Sequence, residues 1–310
     1  GVNDHLGTIP STRAIREACN AKASKIRFGD GSGYIPCQTD SEFEEKYYVL
    51  WYVIKQSIHV DGVLLKKNLY NVIYNPNALE GQYTGTVPIG AQYAQGIRVT
   101  VSGTDLKRDG YTFLGWSRDP YASEPEYVQG NTFAMPGENV VLYAVWRPNN
   151  NTAYKVEYYY QKEDGSYPDQ ATLTSGMRYG VTDRTARVTG ADKTPDAAYP
   201  NYTEDSTNDK KLYEAIVKAD GSTVLKVYFK RQINIAGTKT WIDPVGSEHP
   251  EIVIYLLRDG KKIQEVSLAG QTEYSFGKFD QFDEEGNPYD YAVEEAAVNG
   301  YTTTYQGYNI

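Results

Sequence analysis

The sequence predicts a mainly β protein assembled from small modules in tandem, with one short helix near its start. Three observations lead there. Tyrosine is abundant, 29 residues against 8 Phe and 2 Met, and aromatic side chains suit a pleated, half-buried surface. Apolar residues fall in short alternating runs, and helical spacing is scarce. Turn clusters such as "EDGSY", "RDGKK" and "EEGNPY" separate those runs, in a composition holding 28 Gly and 14 Pro.

Composition also excludes classes of function. A net charge of −9 without clustered Lys and Arg argues against nucleic-acid partners, whose affinity comes largely from such clusters. The longest apolar run, "YYVLWYVI" at 47–54, is far shorter than the roughly 18 to 20 residues that span a bilayer. Neither a charged leader nor a sorting signal is recognisable, so targeting and anchoring segments are expected outside these residues.

Residues 1–68 form the first segment. "STRAIREACNAKASKI" carries the helix: Ser11 is placed to cap its first turn, and Ile15 and Cys19 stand one turn apart. "KYYVLWYVIKQ" and "IHVDGVLLKK" read as two strands. The segment is too short for a rich core of its own and is expected to pack on the next module. Cys19 and Cys37 are the two cysteines of the chain. Paired in an oxidising compartment they would stabilise by about 3 kcal/mol; the alternative is two buried free thiols.

Residues 69–147 run from "YNVIYNPN" to "ENVVLYAVW". In "GYTFLGW", strict alternation puts Tyr111, Phe113 and Gly115 on one face and Leu114 and Trp116 on the other; Trp116 reads as a core residue before a sugar platform. The frame "YNVIYN…VSG…DGYTFLGWS…NVVLYAVW" resembles the Listeria-Bacteroides repeat, also called the internalin B-repeat. That resemblance implies a small, extracellular, β-grasp-like module. "RPNNNTA" at 147–153 is a linker by composition.

Residues 148–232 open on "YKVEYYYQKEDGSYP" and close on "STVLKVYFKRQ". These strands resemble the MucBP-like, β-grasp modules of Gram-positive surface proteins. The tyrosine triplet 158–160 is read as alternate packing and surface cover rather than a glycan platform. Modules of this size in series make a string of beads, and hence a stalk.

Residues 233–310 pose a chemical question at "INIAGTKTWID". Period-two alternation places Ile233, Ile235, Gly237, Lys239 and Trp241 on one face, so an ammonium falls among apolar side chains. In "YDYAVEEA" the same reasoning turns Tyr291, Val293 and Glu295 inward and Glu294 outward. A dry interior favours neutral amines and neutral acids, which are a nucleophile and a hydrogen-bond donor. The alternative is an ordinary salt bridge or a lysine snorkelling from the sheet edge. The marks "GTKTWID", "HPEIVIYLLRDGK", "YSFGKFDQFDEEGNPYDYAVEE" and "NGYTTTYQGYNI" resemble the collagen-adhesin B-type (CnaB) domain.

That resemblance implies a prealbumin-like β-sandwich and an autocatalytic Lys to Asn isopeptide bond. Lys239 would be the amine and Glu295 the acid that polarises the carboxamide and shuttles protons. The family's acceptor asparagine would stand about two residues beyond Ile310. Asn309 is the fallback acceptor, but alternation turns it away from Ile310 and Tyr308.

Multiple-turnover chemistry has no support. His5, His59 and His249 are scattered, Cys37 with His59 lacks a protease context, and no G-x-S-x-G elbow, phosphate loop or H-E-x-x-H occurs. "DEEGN" at 283–287 reads as a turn and not a calcium loop, so no cofactor and no metal are expected. Two functions remain. One is a monomeric, non-enzymatic stalk of a wall-anchored extracellular adhesin; the other is an adhesin region that itself binds host glycan, mucin or extracellular-matrix protein.

Overall fold

A computed structural model describes residues 10–53 and 60–310. His5 and His59, and with them the Cys37–His59 pairing, lie outside these residues. The chain forms two compact units, residues 1–148 and 149–310.

In the first unit, α1 (Thr12–Ala21) forms where the cap predicts it, with Ser11 Oγ accepting the Ala14 N–H at 3.3 Å. A second helix, α2 (Asp40–Lys46), corrects the expectation of one. Its signal is a capping pattern in "TDSE": Thr39 Oγ1 accepts the Glu42 N–H at 3.1 Å, and Glu42 accepts the Gln38 N–H at 2.8 Å. Seven residues are too few for a periodic stripe to announce it. β1 (Tyr47–Val53) and β2 (Val60–Lys66) pair as an antiparallel ladder. Tyr34, Cys37, Phe43 and Tyr47 bury a small core between helices and ladder, with Cys19 packed beside it. Of the two alternatives for the cysteines, the structure holds free thiols. Burial pushes both thiols up from their ordinary range, and Cys37 Sγ donates to the Ile35 carbonyl.

The rest of this unit comprises β3 (Leu69–Asn75), β4 (Ala91–Ala94), β5 (Arg98–Thr100), β6 (Tyr111–Ser117), β7 (Thr132–Ala134) and β8 (Val140–Pro148). Its sheet runs β4-β3-β8-β6, with β3 and β8 parallel at the centre and β5 paired to β7 alongside. Trp116 is 1% exposed and its indole N–H donates to the Ser102 carbonyl at 3.3 Å. Its predicted burial holds, but the predicted faces do not. The ladder with β8 skips Leu114, pairing Phe113 with Trp146 and Gly115 with Val145. This bulge resets the alternation and turns Phe113 toward Trp116, their rings 5.3 Å apart.

The second unit begins with β9 (Thr152–Tyr160), β10 (Leu173–Thr174), β11 (Arg178–Gly180), β12 (Thr185–Arg187), β13 (Tyr202–Glu204), β14 (Glu214–Ile216) and β15 (Thr223–Thr238). Counting β10 and β11 together as one edge, the order is β10/β11-β9-β15-β13, with β9 and β15 parallel and β12 paired to β14. This is the arrangement of 69–148 strand for strand, reached from a dissimilar sequence. No α-helix crosses either sheet among the described residues. The tyrosine triplet packs rather than forming an open platform, but the expected surface cover is buried as well: Tyr160 stacks on Tyr199 at 4.0 Å, while Tyr159, 5% exposed, stacks on Tyr228 at 4.7 Å on the opposite face.

β15 does not stop at the boundary expected at 232. It continues into a sandwich with β16 (Ile252–Arg258), β17 (Lys261–Leu268), β18 (Glu273–Asp280) and β19 (Tyr291–Glu295). There β15 pairs with β18 in one layer, and β17-β16-β19 form the other. The strand is fixed at the crossing by side chains from both modules. Gln161 Oε1 accepts the Arg231 N–H at 3.0 Å, and Lys230 Nζ contacts Asp280 Oδ2 at 2.5 Å. Two turns also meet backbone to backbone: a Cβ on Gly165 would lie 2.2 Å from the Gly286 carbonyl oxygen. The "DEEGN" stretch is the second of these turns, its Asp283 Oδ1 accepting the Glu285 and Asn287 N–H groups.

Gly165→Ala should therefore lose the turn contact in addition to the strain of its positive φ (82°). Gly221 has a similar φ of 73°, yet a Cβ there meets nothing nearer than 3.5 Å. In urea unfolding we expect Gly165→Ala to cost about 1–3 kcal/mol more than Gly221→Ala, the range for steric overpacking. Equal costs would mean that the two turns do not touch.

Candidate functional site

The last strand pattern folds as its alternation dictates. Ile235 and Lys239 are buried, while Asn234, Ala236, Thr238 and Thr240 are exposed. The one irregularity falls on β18, where the ladder passes from Gly277 opposite Ile235 to Ser275 opposite Ala236. The extra residue is Phe276, so β15 keeps its phase. On β19, Glu295 is buried and Glu294 exposed. Lys239 follows directly on β15 and Glu295 belongs to the other layer, so the two face each other across the sandwich.

Lys239 is 7% and Glu295 6% exposed, and Nζ lies 2.8 Å from Glu295 Oε1. The contact is an ion pair by distance but lies off the hydrogen-bonding directions, and Oε1 accepts no well-directed hydrogen bond. Oε2 accepts from Thr303 Oγ1 at 2.7 Å, and the Glu295 N–H donates to Tyr305 Oη at 3.1 Å. Neither Thr303 nor Tyr305 was singled out in the sequence; their signal is the polar run "GYTTTY" beside the strand that bears the acid.

A second buried carboxylate shows what a satisfied one looks like. Asp192 receives two bonds from the Arg178 guanidinium, at 2.5 and 2.9 Å, one from Tyr158 Oη at 2.6 Å, and two from Thr189. The guanidinium in particular holds its carboxyl well below the usual range. Every lone pair there is used, as stable burial of a charge requires. Glu295 instead keeps one oxygen with an amine 2.8 Å away and no hydrogen bond to it or to any other group.

The C-terminal residues complete the layer. Ile310 N–H donates to the Thr238 carbonyl at 2.9 Å and Thr240 N–H to the Ile310 carbonyl at 2.7 Å, the pattern of a parallel pairing between Lys239 and Ile310. Gly237 permits this approach, since a Cβ there would sit 2.0 Å from the Tyr308 carbonyl oxygen. Tyr274 Oη donates to that same carbonyl. Asn309 is exposed, and its Oδ1 accepts from Thr238 N and Oγ1, both at 3.0 Å. The structure thus brings Lys239 and Glu295 together and directs the Asn309 carboxamide away from them.

Chemically, an ammonium–carboxylate pair and a neutral amine–acid pair contain the same number of protons. One proton moved across the 2.8 Å contact interconverts them without any external acid or base. Among the described residues, no group of His, Cys, Asp and Glu is arranged to hold a metal ion, and no helix is long and apolar enough to cross a membrane.

Two stretches of the chain match known families. The family profile of the Cna protein B-type domain matches residues 235–310, and that of the Listeria-Bacteroides repeat domain matches residues 70–145. A collagen adhesin of Staphylococcus aureus is 28% identical over 199 residues, 60% of this chain and 16% of that protein. The chain is similar to Gram-positive surface adhesins. A candidate membrane protein of Evansella cellulosilytica is 37% identical over 84 residues, 27% of this chain and 12% of its own length. The chain therefore spans a small fraction of these relatives. Among solved structures, two B repeat units of the S. aureus collagen binding protein overlap 78% of this chain and 72% of theirs, at 13% identity and a TM-score of 0.26. The Bacillus anthracis TIE protein overlaps 90% and 62%, at 11% identity and a TM-score of 0.27. Overlaps this loose carry no further argument.

Breaking the buried pair should cost more than removing it. Lys239→Met or Glu295→Leu alone leaves one buried group without its partner, for an expected loss of about 3–5 kcal/mol. The double variant should recover most of that loss in denaturant unfolding. Additive losses would show that the two side chains do not interact.

Proposed function

We propose that this chain is a stalk segment of an extracellular, wall-anchored adhesin of a Gram-positive bacterium. In the parent protein its last module would be closed by an amide from Lys239 to a carboxamide carried just past Ile310. The observation that carries the reading is the buried Lys239–Glu295 pair, with Nζ 2.8 Å from an oxygen that has no other partner. The parallel pairing of Lys239 with Ile310 supports the position of the acceptor: two residues further on, a side chain returns to the face that Lys239 occupies.

The step balances within the site. Nζ attacks the carboxamide carbon, Glu295 donates a hydrogen bond to the carbonyl oxygen as negative charge develops there, and the acid returns the amine's proton to the departing nitrogen. One N–C bond forms, one breaks, and ammonia leaves. The product is a neutral secondary amide in a dry interior, so the cost of burying an ammonium disappears. The protein would perform this once, on itself, without a cofactor.

The four cores are centred on Tyr34 to Tyr47, Val72 to Ala144, Val156 to Phe229 and Ile235 to Val293. They support a division into modules near 69, 148 and 233, the third of them MucBP-like. A second reading, in which this region binds matrix protein, glycan or mucin, is favoured by one observation, the similarity to a protein named a collagen adhesin.

Intact mass of the chain continued several residues past Ile310 tests the crosslink. A loss of about 17 Da, abolished in Lys239→Ala and in Glu295→Ala, is expected from release of one ammonia. An unchanged mass in the continued chain removes the crosslink. Absence of binding to collagen, mucin and a glycan array, with an elongated scattering profile, is expected of a spacer; saturable binding to any of them would favour the second reading.

A further inference from the structure

The ring that covers Lys239 is itself held by a device that takes no part in amide formation. Trp241 follows Lys239 on the inward phase, and Lys239 Nζ lies 4.2 Å from the indole ring centroid. The imidazole of His249 stacks on the same indole, 4.3 Å between centroids and 8° from parallel. Lysine and histidine thus both lie against this one indole. Tyr301 meets the indole edge-on at 4.8 Å and 74°, the preferred arrangement of a ring edge against a ring face.

Asp243 fixes both of these neighbours. Its Oδ2 lies 2.7 Å from His249 Nε2 and accepts the Tyr301 hydroxyl at 2.8 Å. An ionised carboxylate can only accept, so Nε2 carries a hydrogen in this arrangement. The bond from His249 foremost, with that from Tyr301, holds the Asp243 carboxyl below its usual range, and Asp243 in turn pushes the Tyr301 hydroxyl up. The loop between Asp243 and His249 is closed by a turn in which Ser247 N–H and Oγ both donate to the Pro244 carbonyl. The loop is otherwise open to solvent, with Ile242 and Val245 almost wholly exposed, so its attachment to the module at this end runs through the clasp.

We infer that Trp241, clasped by His249, Tyr301 and Asp243, is a positioning residue that seals the Lys239 amine from water and fixes its direction toward Glu295. β15 ends at Thr238, and beyond it the pairing toward β18 continues only through the Lys239 N–H, which donates to the Thr272 carbonyl at 2.8 Å. Glu295 bounds the amine on one side and the indole on another. A nucleophilic amine needs its water excluded and its approach restricted, and a flat ring lying against the amine and braced by a stacked imidazole provides both. The chemical use of the seal rests on the crosslink reading, whereas the seal itself does not.

The test uses the full chain as it stands. Native protein is acetylated with a limiting amine-reactive ester, and labelling at Lys239 is read by peptide mass mapping against exposed Lys261. We expect Lys239 to be labelled at least tenfold more slowly than Lys261. His249→Ala and Asp243→Asn should raise Lys239 labelling about tenfold with the fold retained by circular dichroism. His249→Phe keeps a flat ring on Trp241 without the bond to Asp243, and should bring labelling back to within about threefold of the parent. Unchanged Lys239 protection in His249→Ala and in Trp241→Leu would overturn the proposal, even if both variants are less stable, because a merely structural cluster lowers stability without opening the amine. In the chain continued past Ile310, His249→Ala should also slow ammonia loss about tenfold. If that chain never loses ammonia, the crosslink reading fails while the labelling contrast still decides the seal.

Discussion

The last module is organised around a buried ammonium and carboxylate that reach each other from opposite layers of a sandwich. Such a pair is a poor way to stabilise a fold, since desolvating two charges commonly costs as much as their attraction returns. The geometry here is poorer still than burial alone requires, because Glu295 Oε1 has the amine nearby but no well-directed hydrogen bond. The Arg178–Asp192 pair shows that this chain can build a fully bonded buried charge when structure is the purpose. Surrounding features are consequences of admitting the lysine. Gly237 is bare so that the C-terminal residues can lie against β15, Tyr274 ties down the Tyr308 carbonyl, and Trp241 covers the amine where the strand gives out.

The same physical economy links the modules before it. Residues 69–148 and 149–238 reach one strand order from dissimilar sequences because both solve one problem. A first and a last strand, parallel and central, are buried by pairing on both edges. Central parallel strands are favoured only when covered on their faces, and here aromatic side chains supply that cover. Trp116 and Phe113 do so in one module, Tyr160, Tyr199 and Phe229 in the other. That explains a tyrosine count far above phenylalanine: many of these rings lie at half-buried positions where a hydroxyl still finds a partner, as Tyr158, Tyr167 and Tyr213 do with Asp192, Asp205 and Glu204.

Much of the site was legible because period two is a strict rule. It placed Lys239 and Glu295 inside and Glu294 and Asn309 outside from phase alone, and the caps of α1 needed only Ser11. The faces of "GYTFLGW" were not legible by the same rule, since one bulge at Leu114 shifts everything after it; Gly115, an isolated glycine in a strand, was the available warning. α2 escaped because seven residues, about two turns, leave no stripe to read. The Trp241–His249–Tyr301 clasp could not be read at all, because stacking joins residues whose separation in sequence bears no period. The continuation of β15 past 232 was equally hidden, since a strand shared by two modules looks like two strands with a boundary between them.

Placing the pair just beyond the end of β15 has a mechanical consequence. Were the chain pulled at both ends, as the stalk reading implies, tension would enter the last module through β15, which arrives directly from the preceding sheet, and would leave through the C-terminal residues that run parallel to Thr238 and Thr240. Opposed pulls on two parallel neighbours load their hydrogen bonds in shear, all at once rather than one after another. Without a covalent tie, those few bonds and the β15–β18 ladder would carry the load, and their failure would expose the whole of residues 240–309. An amide at Lys239 to a residue past Ile310 would carry it from strand to exit through a bond that thermal motion does not break. Every residue between would then lie off the path of the force, which would give a reason to bury a lysine just past the end of this strand and to keep water away from it.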